Sequence, residues 1–416
     1  MPNGEGVASG SATHLLTITN SDTTEFIMKP LSAKNAFFED SIIRGMSNVA
    51  KKYGALNMSQ GYPEFDPPKE ILENMQKMAH EDCHQYPISY GTTNIREALV
   101  KKYKRFSGMD VNPDEEVVVS CGGTEAMVAV MLAITNPGDK VAIFEPVYEN
   151  YKTNLILTGT EGIYIKLTPP AFTFNPEDVE NAFKQGAKIL LICNPSNPCG
   201  KVFTMEEMTV LADLAKKYDA YVVVDEVYEH IVYKPNKMVY MATLPDMRER
   251  TIICSSMSKT YSITGWRIGY SIAPKWITDN IKKVHNFLTI SAAAPLQEAI
   301  VAGLNFGQEY YDDLLDLYTS KRDLMLQGLD RIGINHNVPE GTYFIMLDLR
   351  DIMQKSGIED DIKFAETLCE KAGIAVVPCR DFFTSHVSGY FRIHFAKNDD
   401  TINKALERLE QAKKVF

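Results

Sequence analysis

The chain has 416 residues, of which 45% are hydrophobic and 23% charged, and its formal net charge is −11. Because this length exceeds one typical hydrophobic core, we expect two domains in a globular protein of ordinary composition. The acidic balance argues against a nucleic-acid partner, and no apolar run reaches the roughly 20 residues that a membrane helix requires.

The cysteines and several missing motifs narrow the chemistry further. The seven cysteines are scattered, odd in number and without a Cys-x-x-Cys pair, which favours reduced thiols in the cytoplasm over disulfides or a zinc site. Residues 1–20 lack the basic start and apolar core of a secretory signal. No His-Glu-x-x-His, Walker A or Gly-x-Gly-x-x-Gly motif occurs, and we expect no metal site.

The N-terminal region becomes organised only after residue 29. Residues 1–29 are rich in Ser, Thr, Gly and Asn and are predicted to form an arm or extension. Apolar residues at helical spacing predict a helix from Ser41 to Tyr53, with Gly54 as its C-terminal cap. The Gly and Pro density of residues 55–68 predicts an exposed turn rather than a core strand.

Strand and helix patterns alternate from Val117 onward. Five short runs are almost continuously apolar, which is typical of strands buried on both faces of a mostly parallel sheet. Helical patterns such as Met205–Tyr218 lie between them, and the alternation predicts an α/β fold with a doubly wound sheet. The five runs are Val117–Val119, Val141–Phe144, Lys188–Cys193, Tyr221–Val224 and Thr251–Cys254.

A different layout follows the long helical stretch Ile277–Ile332, which is broken around Pro295 and Gly307. Shorter strand and helix patterns then predict a smaller α+β domain. These patterns cover Gly341–Asp348, Ile362–Lys371, Ile374–Pro378 and Phe391–Phe395. The predicted domains are an arm at residues 1–29, a small domain of residues 30–73 plus 331–416, and a large domain of residues 74–330.

Lys259 stands at a chemically unusual place in the sequence. It follows small hydroxyl residues after the apolar run Thr251–Cys254, and Arg267 comes eight positions later. Open α/β sheets place their chemistry where strands leave the sheet. A desolvated lysine beside another cation has a lowered pKa and can form a Schiff base with a carbonyl. Ser256-x-x-Lys259 with Arg267 resembles the lysine signature of class I aminotransferases, fold-type I enzymes that use pyridoxal 5'-phosphate (PLP).

This resemblance covers the chain from about Pro30 to its C-terminus. It implies a large domain with a mostly parallel doubly wound sheet, a smaller α+β domain, and PLP as the cofactor. Lys259 would form the Schiff base and, once freed by the substrate amine, move the Cα proton. Ser256 and Arg267 would bind the PLP phosphate, Arg267 through a charge-assisted pair.

Further motifs follow predicted strands in the order that the family has them. Gly123 and Thr124 lie between a strand and a helix, where backbone N–H groups can close on an anion. The resemblance makes them phosphate-loop candidates, and a tight turn with a Thr cap is the plain alternative. It also implies that Tyr148 lies flat against the pyridine ring; a core tyrosine is the alternative there.

The next two motifs would contact the ring of the cofactor. In the family, Asn197 would donate to the phenolic oxygen, although relatives usually carry a hydroxyl residue where Cys199 stands. Asp225 leaves an apolar run, and a buried carboxylate is costly unless a cation pairs with it. The resemblance implies that this cation is the protonated pyridine nitrogen of PLP. It also implies that Tyr228, like Asn197, contacts the phenolic oxygen of PLP. A helix N-cap is the alternative for Asp225.

Substrate-binding residues are implied in the same way. Arg392 lies in an apolar, alternating run, and an inward-pointing guanidinium needs an anion. The resemblance gives it the substrate α-carboxylate, which Gly61 also approaches with its backbone, whereas a structural salt bridge is the alternative for Arg392. Tyr86 would reach the neighbouring subunit's PLP phosphate, or be a surface aromatic. A pocket for large apolar or aromatic side chains could use Tyr62, Tyr86, His285 and Tyr343.

The resemblance is closest to the branch that holds methionine, kynurenine and glutamine–phenylpyruvate aminotransferases. It implies a ping-pong enzyme, homodimeric and cytoplasmic, that moves the amino group of a neutral, large apolar or aromatic L-amino acid to a 2-oxo acid. No second arginine stands out for a dicarboxylate, so aspartate is a poorer candidate. A PLP-dependent cysteine-conjugate β-lyase and a non-catalytic PLP-binding protein are the alternatives.

Overall fold

The computed structural model describes residues 29–38, 40–385 and 387–416. Asp40–Phe416 pack as one compact unit. In the unit before it, Met1–Glu39, the described residues contain a 3-10 helix at Ala33–Phe37. The predicted arm at residues 1–29 lies, apart from Lys29, outside the described residues.

Helices and strands alternate through the compact unit. In chain order the helices are α1 (Ile42–Tyr53), α2 (Lys69–Met78), α3 (Thr93–Ser107), α4 (Gly123–Ile134), α5 (Glu149–Thr158), α6 (Pro176–Lys184), α7 (Met205–Lys217), α8 (Lys275–Leu288), α9 (Ala294–Leu304), α10 (Gln308–Ile332), α11 (Arg350–Ser356), α12 (Asp361–Lys371) and α13 (Asp399–Val415). The strands are β1 (Leu56–Asn57), β2 (Val117–Ser120), β3 (Lys140–Glu145), β4 (Glu161–Lys166), β5 (Ala187–Cys193), β6 (Tyr221–Asp225), β7 (Thr251–Ser256), β8 (Gly269–Ile272), β9 (Asn335–His336), β10 (Phe344–Asp348), β11 (Ile374–Ala375), β12 (Val377–Pro378) and β13 (Tyr390–His394).

The large sheet has seven strands in the order β2-β8-β7-β6-β5-β3-β4. Strands β4, β3, β5, β6 and β7 run parallel, and β8 is antiparallel to both of its neighbours. Neighbouring residues of the central strands face opposite cores: Leu190 packs on the side of α6 and α7, and Leu191 on the side of α4, α5 and α8. This double burial explains the continuous apolar runs, and the doubly wound α/β prediction is confirmed.

Two strands of this sheet were missed by the sequence analysis, which predicted only five. Strand β4 is an edge strand whose residues are mostly exposed or half-buried, so it lacks the apolar run of a central strand. Strand β8 is fully buried but only four residues long and directly follows the lysine–arginine motif. Short or half-polar strands carry a weak sequence signal.

A smaller antiparallel sheet, β12-β13-β10-β9, packs against α10, α12 and α13. The segment predicted to be an exposed turn at residues 55–68 contributes to this region instead. Leu56 and Asn57 pair with β11 in parallel, and Met58 and Ser59 are fully buried. For Leu56 to Ser59 the prediction of an exposed turn was wrong, because a strand of two residues is too short to show a periodic pattern in the sequence.

Local capping sets several helix ends as the sequence indicates. Ser41 accepts a hydrogen bond from the N–H of Arg44, and Gly54 ends α1 in the left-handed region. The predicted breaks at Pro295 and Gly307 are helix starts: the proline is in the first turn of α9 and the glycine caps α10. In the described part of the chain, no helix is long and apolar enough to cross a membrane.

Candidate active site

A cavity of about 540 Å³ opens at the carboxyl ends of β5, β6 and β7. Its walls bring together residues that are far apart in the sequence. The predicted site residues on these walls are Gly61, Gly123, Thr124, Tyr148, Asn197, Asp225, Tyr228, Ser256, Lys259, Arg267 and Arg392. Tyr86, which was predicted to bind the cofactor phosphate of a neighbouring subunit, is 80% exposed and lies outside these walls.

Lys259 lies in the turn after β7 and reaches into the cavity. Its ammonium Nζ donates to the carbonyl oxygen of Gly61 at 3.0 Å. Burial, together with the charges of Arg267 and Arg392, lowers the pKa of Lys259 to about 8, whereas Asp225 opposes the shift. The amine is therefore neutral in a substantial fraction of molecules near neutral pH, which an ordinary surface lysine is not.

Asp225 is the last residue of β6, and its carboxylate is held by two donors. The hydroxyl of Tyr151 donates to Oδ2 at 2.6 Å, and the N–H of Val227 donates to Oδ1 at 3.2 Å. Burial raises the pKa of Asp225, and the bond from Tyr151 opposes this. A turn rather than a helix follows, so the N-cap alternative does not apply. The acid lacks a direct cationic partner among the described residues and faces the cavity.

Helix α4 begins at Gly123 on the cavity wall, so its first N–H groups meet the cavity at the positive end of the helix dipole. Arg267 lies opposite in the left-handed region, and its Nη1 donates to the carbonyl of Thr264 at 2.9 Å. A Cβ on Gly122 would overlap the Arg267 guanidinium, and one on Gly269 would overlap the Gly122 backbone. Sequence reasoning missed the need for these two glycines.

Arg392 lies on β13 and is only 1% exposed. Its Nη1 donates to Oδ1 of Asn197 at 2.7 Å and its Nη2 to the carbonyl of Ser59 at 3.2 Å, whereas Nε has no partner among the described residues. Burial lowers its pKa. The structural salt-bridge alternative fails, because in the described part of the chain no carboxylate forms an ion pair with this arginine.

Two tyrosines line the cavity between these charged groups. Tyr148 directly precedes α5 and packs edge-on against Tyr151, with ring centroids 5.7 Å apart. Tyr228 is buried and packs edge-on against Tyr343, with centroids 5.3 Å apart. Burial raises the pKa of Tyr148 to about 12, and that of Tyr228 well above its usual range. Both hydroxyls therefore stay protonated and can donate.

The predicted side-chain pocket needs correction. Tyr62 lines the cavity, but Tyr343 and His285 do not. The hydroxyl of Tyr343 donates to the carbonyl of Gly61 at 3.0 Å, beneath the wall. His285 is fully buried, with Nδ1 2.7 Å from a Glu125 carboxylate oxygen and Nε2 2.8 Å from the Ser89 carbonyl oxygen. Its ring nitrogens are used to tie α8 to α4 and to a loop.

Other residues of the site escaped the sequence analysis. Tyr151 lies three positions after Tyr148, and this spacing in one helical turn was the signal available for it. Arg44 and Glu149 also line the cavity, although their sequence surroundings give no hint of it. In the folded chain Arg44 is thus an arginine on the cavity wall in addition to Arg267 and Arg392.

Comparisons with known proteins agree with this geometry. The family model "Aminotransferase class I and II" matches residues 53–409. Methionine aminotransferase of Escherichia coli (strain K12) is 32% identical over 375 residues, covering 89% of this chain and 95% of that protein. Human kynurenine–oxoglutarate transaminase 3 is 31% identical over 436 residues, covering 96% of this chain and 95% of that protein.

Solved structures show the same likeness. The crystal structure of Escherichia coli YbdL, described as having a methionine aminotransferase function, matches with a TM-score of 0.87 and 31% identity, covering 92% of this chain and all of that one. N-succinyldiaminopimelate aminotransferase of Mycobacterium tuberculosis matches with a TM-score of 0.88 and 30% identity over the same shares. The resemblance noted in the sequence is thus confirmed: this chain belongs to the class I and II aminotransferase family and is an aminotransferase.

Proposed function

We propose that the chain is a homodimeric, PLP-dependent aminotransferase that moves the amino group of a large apolar or aromatic L-amino acid to a 2-oxo acid by a ping-pong mechanism. The observation that carries this proposal is the buried, partly neutral Lys259 amine in one cavity with Asp225 and with Arg392, which has no ion-pair partner among the described residues. The activities for which the two relatives are named, on methionine and on kynurenine, support the donor class.

The residues on the cavity wall fit PLP. The Lys259 amine, which forms no ion pair among the described residues, suits the PLP aldehyde. The start of α4 and Arg267 suit the PLP phosphate, which Thr124 and Ser256 would also contact. Asp225 would hold the ring nitrogen, with Tyr148 on the ring face. When bound, PLP supplies an aldehyde that takes up amines and a cationic ring that withdraws electrons from the substrate.

Lys259 would act twice. Its neutral amine is the nucleophile toward an aldehyde, and burial beside Arg267 and Arg392 makes that form available because together they lower the pKa to about 8. Once the substrate amine has displaced it, the same Nζ can remove the proton from Cα and then donate it again to complete the proton transfer. A base with a pKa near the working pH is most effective in this role.

Asn197 and Arg392 would orient the substrate together. The guanidinium offers a planar fork for the α-carboxylate, and none of the described residues forms an ion pair with it. Because the amide oxygen of Asn197 accepts from Arg392, its NH2 group is the donor that it can offer to the phenolic oxygen. The hydroxyl of Tyr228 would share that task. The contact between Asn197 and Arg392 thus links the cofactor side of the cavity to the substrate side.

The donor side chain would meet an apolar part of the wall. Ile43, Tyr62 and Phe344 line it, and each is large enough to cover a methionine or aromatic side chain.

The homodimer would use an exposed apolar face. Tyr86 is 80% exposed and Phe287 90% exposed, with Ile88 and Leu288 half exposed beside them in sequence. The bond between His285 and the Ser89 carbonyl joins the two segments, and their exposed side chains are here called the Tyr86–Phe287 face. A second copy of this chain would cover it and bring Tyr86 to the neighbouring cavity. A cytoplasmic location is supported by the seven free cysteines.

Replacement of Lys259 by alanine tests the proposal. We expect transamination of L-methionine with a 2-oxo acid to fall by about a thousandfold or more, and the absorbance of covalently held PLP to disappear. Lys404→Ala, at an exposed position on α13, is the matched control and should keep both. Unchanged activity in Lys259→Ala would contradict the proposal. Pyruvate and ammonia released from a cysteine conjugate without any acceptor would favour the β-lyase alternative.

A further inference from the structure

Lys102 and Glu229 form a buried ion pair outside the cavity. Lys102, on α3, donates to Oε1 of Glu229 and also, at 2.9 Å, to the hydroxyl of Tyr270. That hydroxyl in turn donates to the same Oε1 at 3.3 Å, so the three side chains form a closed set, here called the Lys102 triad. Each of the three is more than nine-tenths buried, and none of them lines the cavity.

The triad joins two segments that carry residues of the site. Glu229 lies in the turn after β6, one residue beyond Tyr228 and four beyond Asp225, both of which are on the cavity wall. Tyr270 is in β8 next to Gly269, whose lack of a Cβ lets β8 approach the start of α4. One end of the triad is thus attached to the residues proposed for the ring of PLP, and the other to the turn proposed for its phosphate.

Lys102 is paired with one carboxylate only. Burial acts to raise the pKa of Glu229, but the charge of Lys102 and its hydrogen bond outweigh this, and the pKa is lowered. Glu226 is also fully buried, and among the described residues it has no ion-pair partner and no hydrogen-bond partner for Oε1. Burial and the charge of Glu229 together raise the pKa of Glu226 well above its usual range, so this acid stays protonated. The cation is therefore not shared between the two acids.

A buried ion pair is seldom needed for stability alone, because apolar side chains of similar volume often stabilise a fold at least as well. The triad does fix a direction, since Lys102 and Tyr270 hold one carboxylate oxygen between α3 and β8. We infer that Lys102 is a positioning residue for the reaction: through Glu229 and Tyr270 it fixes the distance between the ring site and the phosphate site. This inference rests on the proposed function and adds to it a residue that lies outside the cavity.

Two conservative variants of the holoenzyme separate positioning from stability. Tyr270→Phe removes the hydroxyl that links Glu229 to β8. Tyr240→Phe is the matched control, because the Tyr240 hydroxyl donates to Oε2 of the same carboxylate at 3.0 Å but lies neither on β8 nor on the cavity wall. The measurements are kcat and KM for L-methionine with a 2-oxo acid, the Kd for PLP, and the melting temperature.

We expect both variants to melt at a lower temperature, because each loses a buried hydroxyl that binds Glu229. In Tyr270→Phe we expect kcat to fall and the Kd for PLP to rise, each about tenfold, with KM within about twofold of the wild type. Tyr240→Phe should keep kcat, KM and the Kd of the wild type. Equal constants in the two variants would overturn the inference, because the bond to β8 would then contribute stability alone.

Two further variants test Lys102 itself. Lys102→Met leaves the buried Glu229 carboxylate without its cation and should lower the melting temperature and kcat together. Lys102→Met/Glu229→Leu replaces the whole pair by apolar side chains, and we expect most of the melting temperature to return while kcat stays about tenfold low. Full recovery of kcat in the double variant would overturn the inference and leave the proposed function standing. A wild type that neither binds PLP nor transaminates L-methionine would overturn both.

Discussion

The Lys259 amine owes its chemistry to burial, and this gives a pH dependence that can be measured. A pKa lowered from 10.5 to about 8 means that the nucleophilic neutral form increases as pH rises through 8. We expect the rate of covalent PLP capture by apoenzyme to rise with pH and to level off above about pH 9. Stopped-flow absorbance measures this rate. A rate that keeps rising beyond about pH 10, as for an unperturbed lysine, would show that Lys259 is not buried among cations.

Tyr151 is a second residue whose role depends on one contact. In Tyr151→Phe, Asp225 loses the hydroxyl 2.6 Å from Oδ2, and its pKa rises further because that bond lowers it. Leaving a buried carboxylate oxygen unpaired costs about 1–3 kcal/mol. We therefore expect PLP affinity to fall about tenfold or more, and kcat to fall while KM for the donor changes little.

The Kd of apoenzyme for PLP and the pH titration of the bound-cofactor absorbance check this role. A purely structural tyrosine would lower the melting temperature without moving that titration. Tyr53→Phe, at the exposed end of α1, is the control and should change neither. The prediction fails if Tyr151→Phe binds PLP as tightly as the wild type and titrates at the same pH.

At the scale of elements, the phosphate-binding turn depends on the close approach of β8 to the start of α4. Gly269 permits it, because a Cβ there would overlap the backbone of Gly122 and Gly123. In Gly269→Ala we expect overpacking to destabilise the fold by about 1–3 kcal/mol. PLP affinity should fall as well, because the turn must move away from Arg267. Thermal unfolding of apoenzyme and the Kd for PLP measure the two effects.

Gly307→Ala is the matched control, because a Cβ at this helix cap would meet nothing within 4 Å. It should leave the PLP Kd as in the wild type and lower the melting temperature less than Gly269→Ala does, by the loss of a glycine cap alone. A melting temperature and a PLP Kd unchanged in Gly269→Ala would mean that β8 and α4 can separate without consequence, contrary to their contact in the structure.

At the scale of the whole molecule, the Tyr86–Phe287 face makes the oligomeric state testable. We expect Phe287→Asp to convert the proposed dimer to a monomer, because a charge would then lie in an apolar interface. PLP affinity should fall with it, since Tyr86 would no longer reach the neighbouring cavity. Sedimentation velocity and PLP titration follow the two changes. Val338→Asp, at another exposed apolar position, should leave both as in the wild type.

The division into a small and a large domain remains a proposal at this scale. It is supported by two separate sheets: the seven-stranded sheet lies between Val117 and Ile272, and the four-stranded sheet between Asn335 and His394. The described residues from Asp40 onward nevertheless pack as one compact unit. The proposed boundaries at residues 73 and 330 fall inside α2 and α10, so limited proteolysis of the holoenzyme should cut the loops beside these helices if the two domains separate.

The sequence alone determined the features that depend on local chemistry. Continuous apolar runs identified the central strands, because a strand buried on both faces excludes polar residues from nearly every position. Ser41 and Gly54 marked the ends of α1, because caps act through their own backbone neighbours. Lys259, Asp225 and Arg392 could be singled out because a charged side chain beside an apolar run needs a partner.

Tertiary structure decided which side chains meet. Tyr151 and Asp225 are 74 positions apart, and Arg392 and Asn197 are 195 apart, so no local pattern could pair them. His285 was assigned to the pocket, but packing turned its ring to Glu125 and Ser89. Arg44 lies on an ordinary amphipathic helix and lines the cavity because a bond between Ser41 and Glu149 joins the start of α1 to the start of α5. The spacing of apolar residues shows which face of a helix or strand is buried, whereas long-range packing decides which other element covers that face.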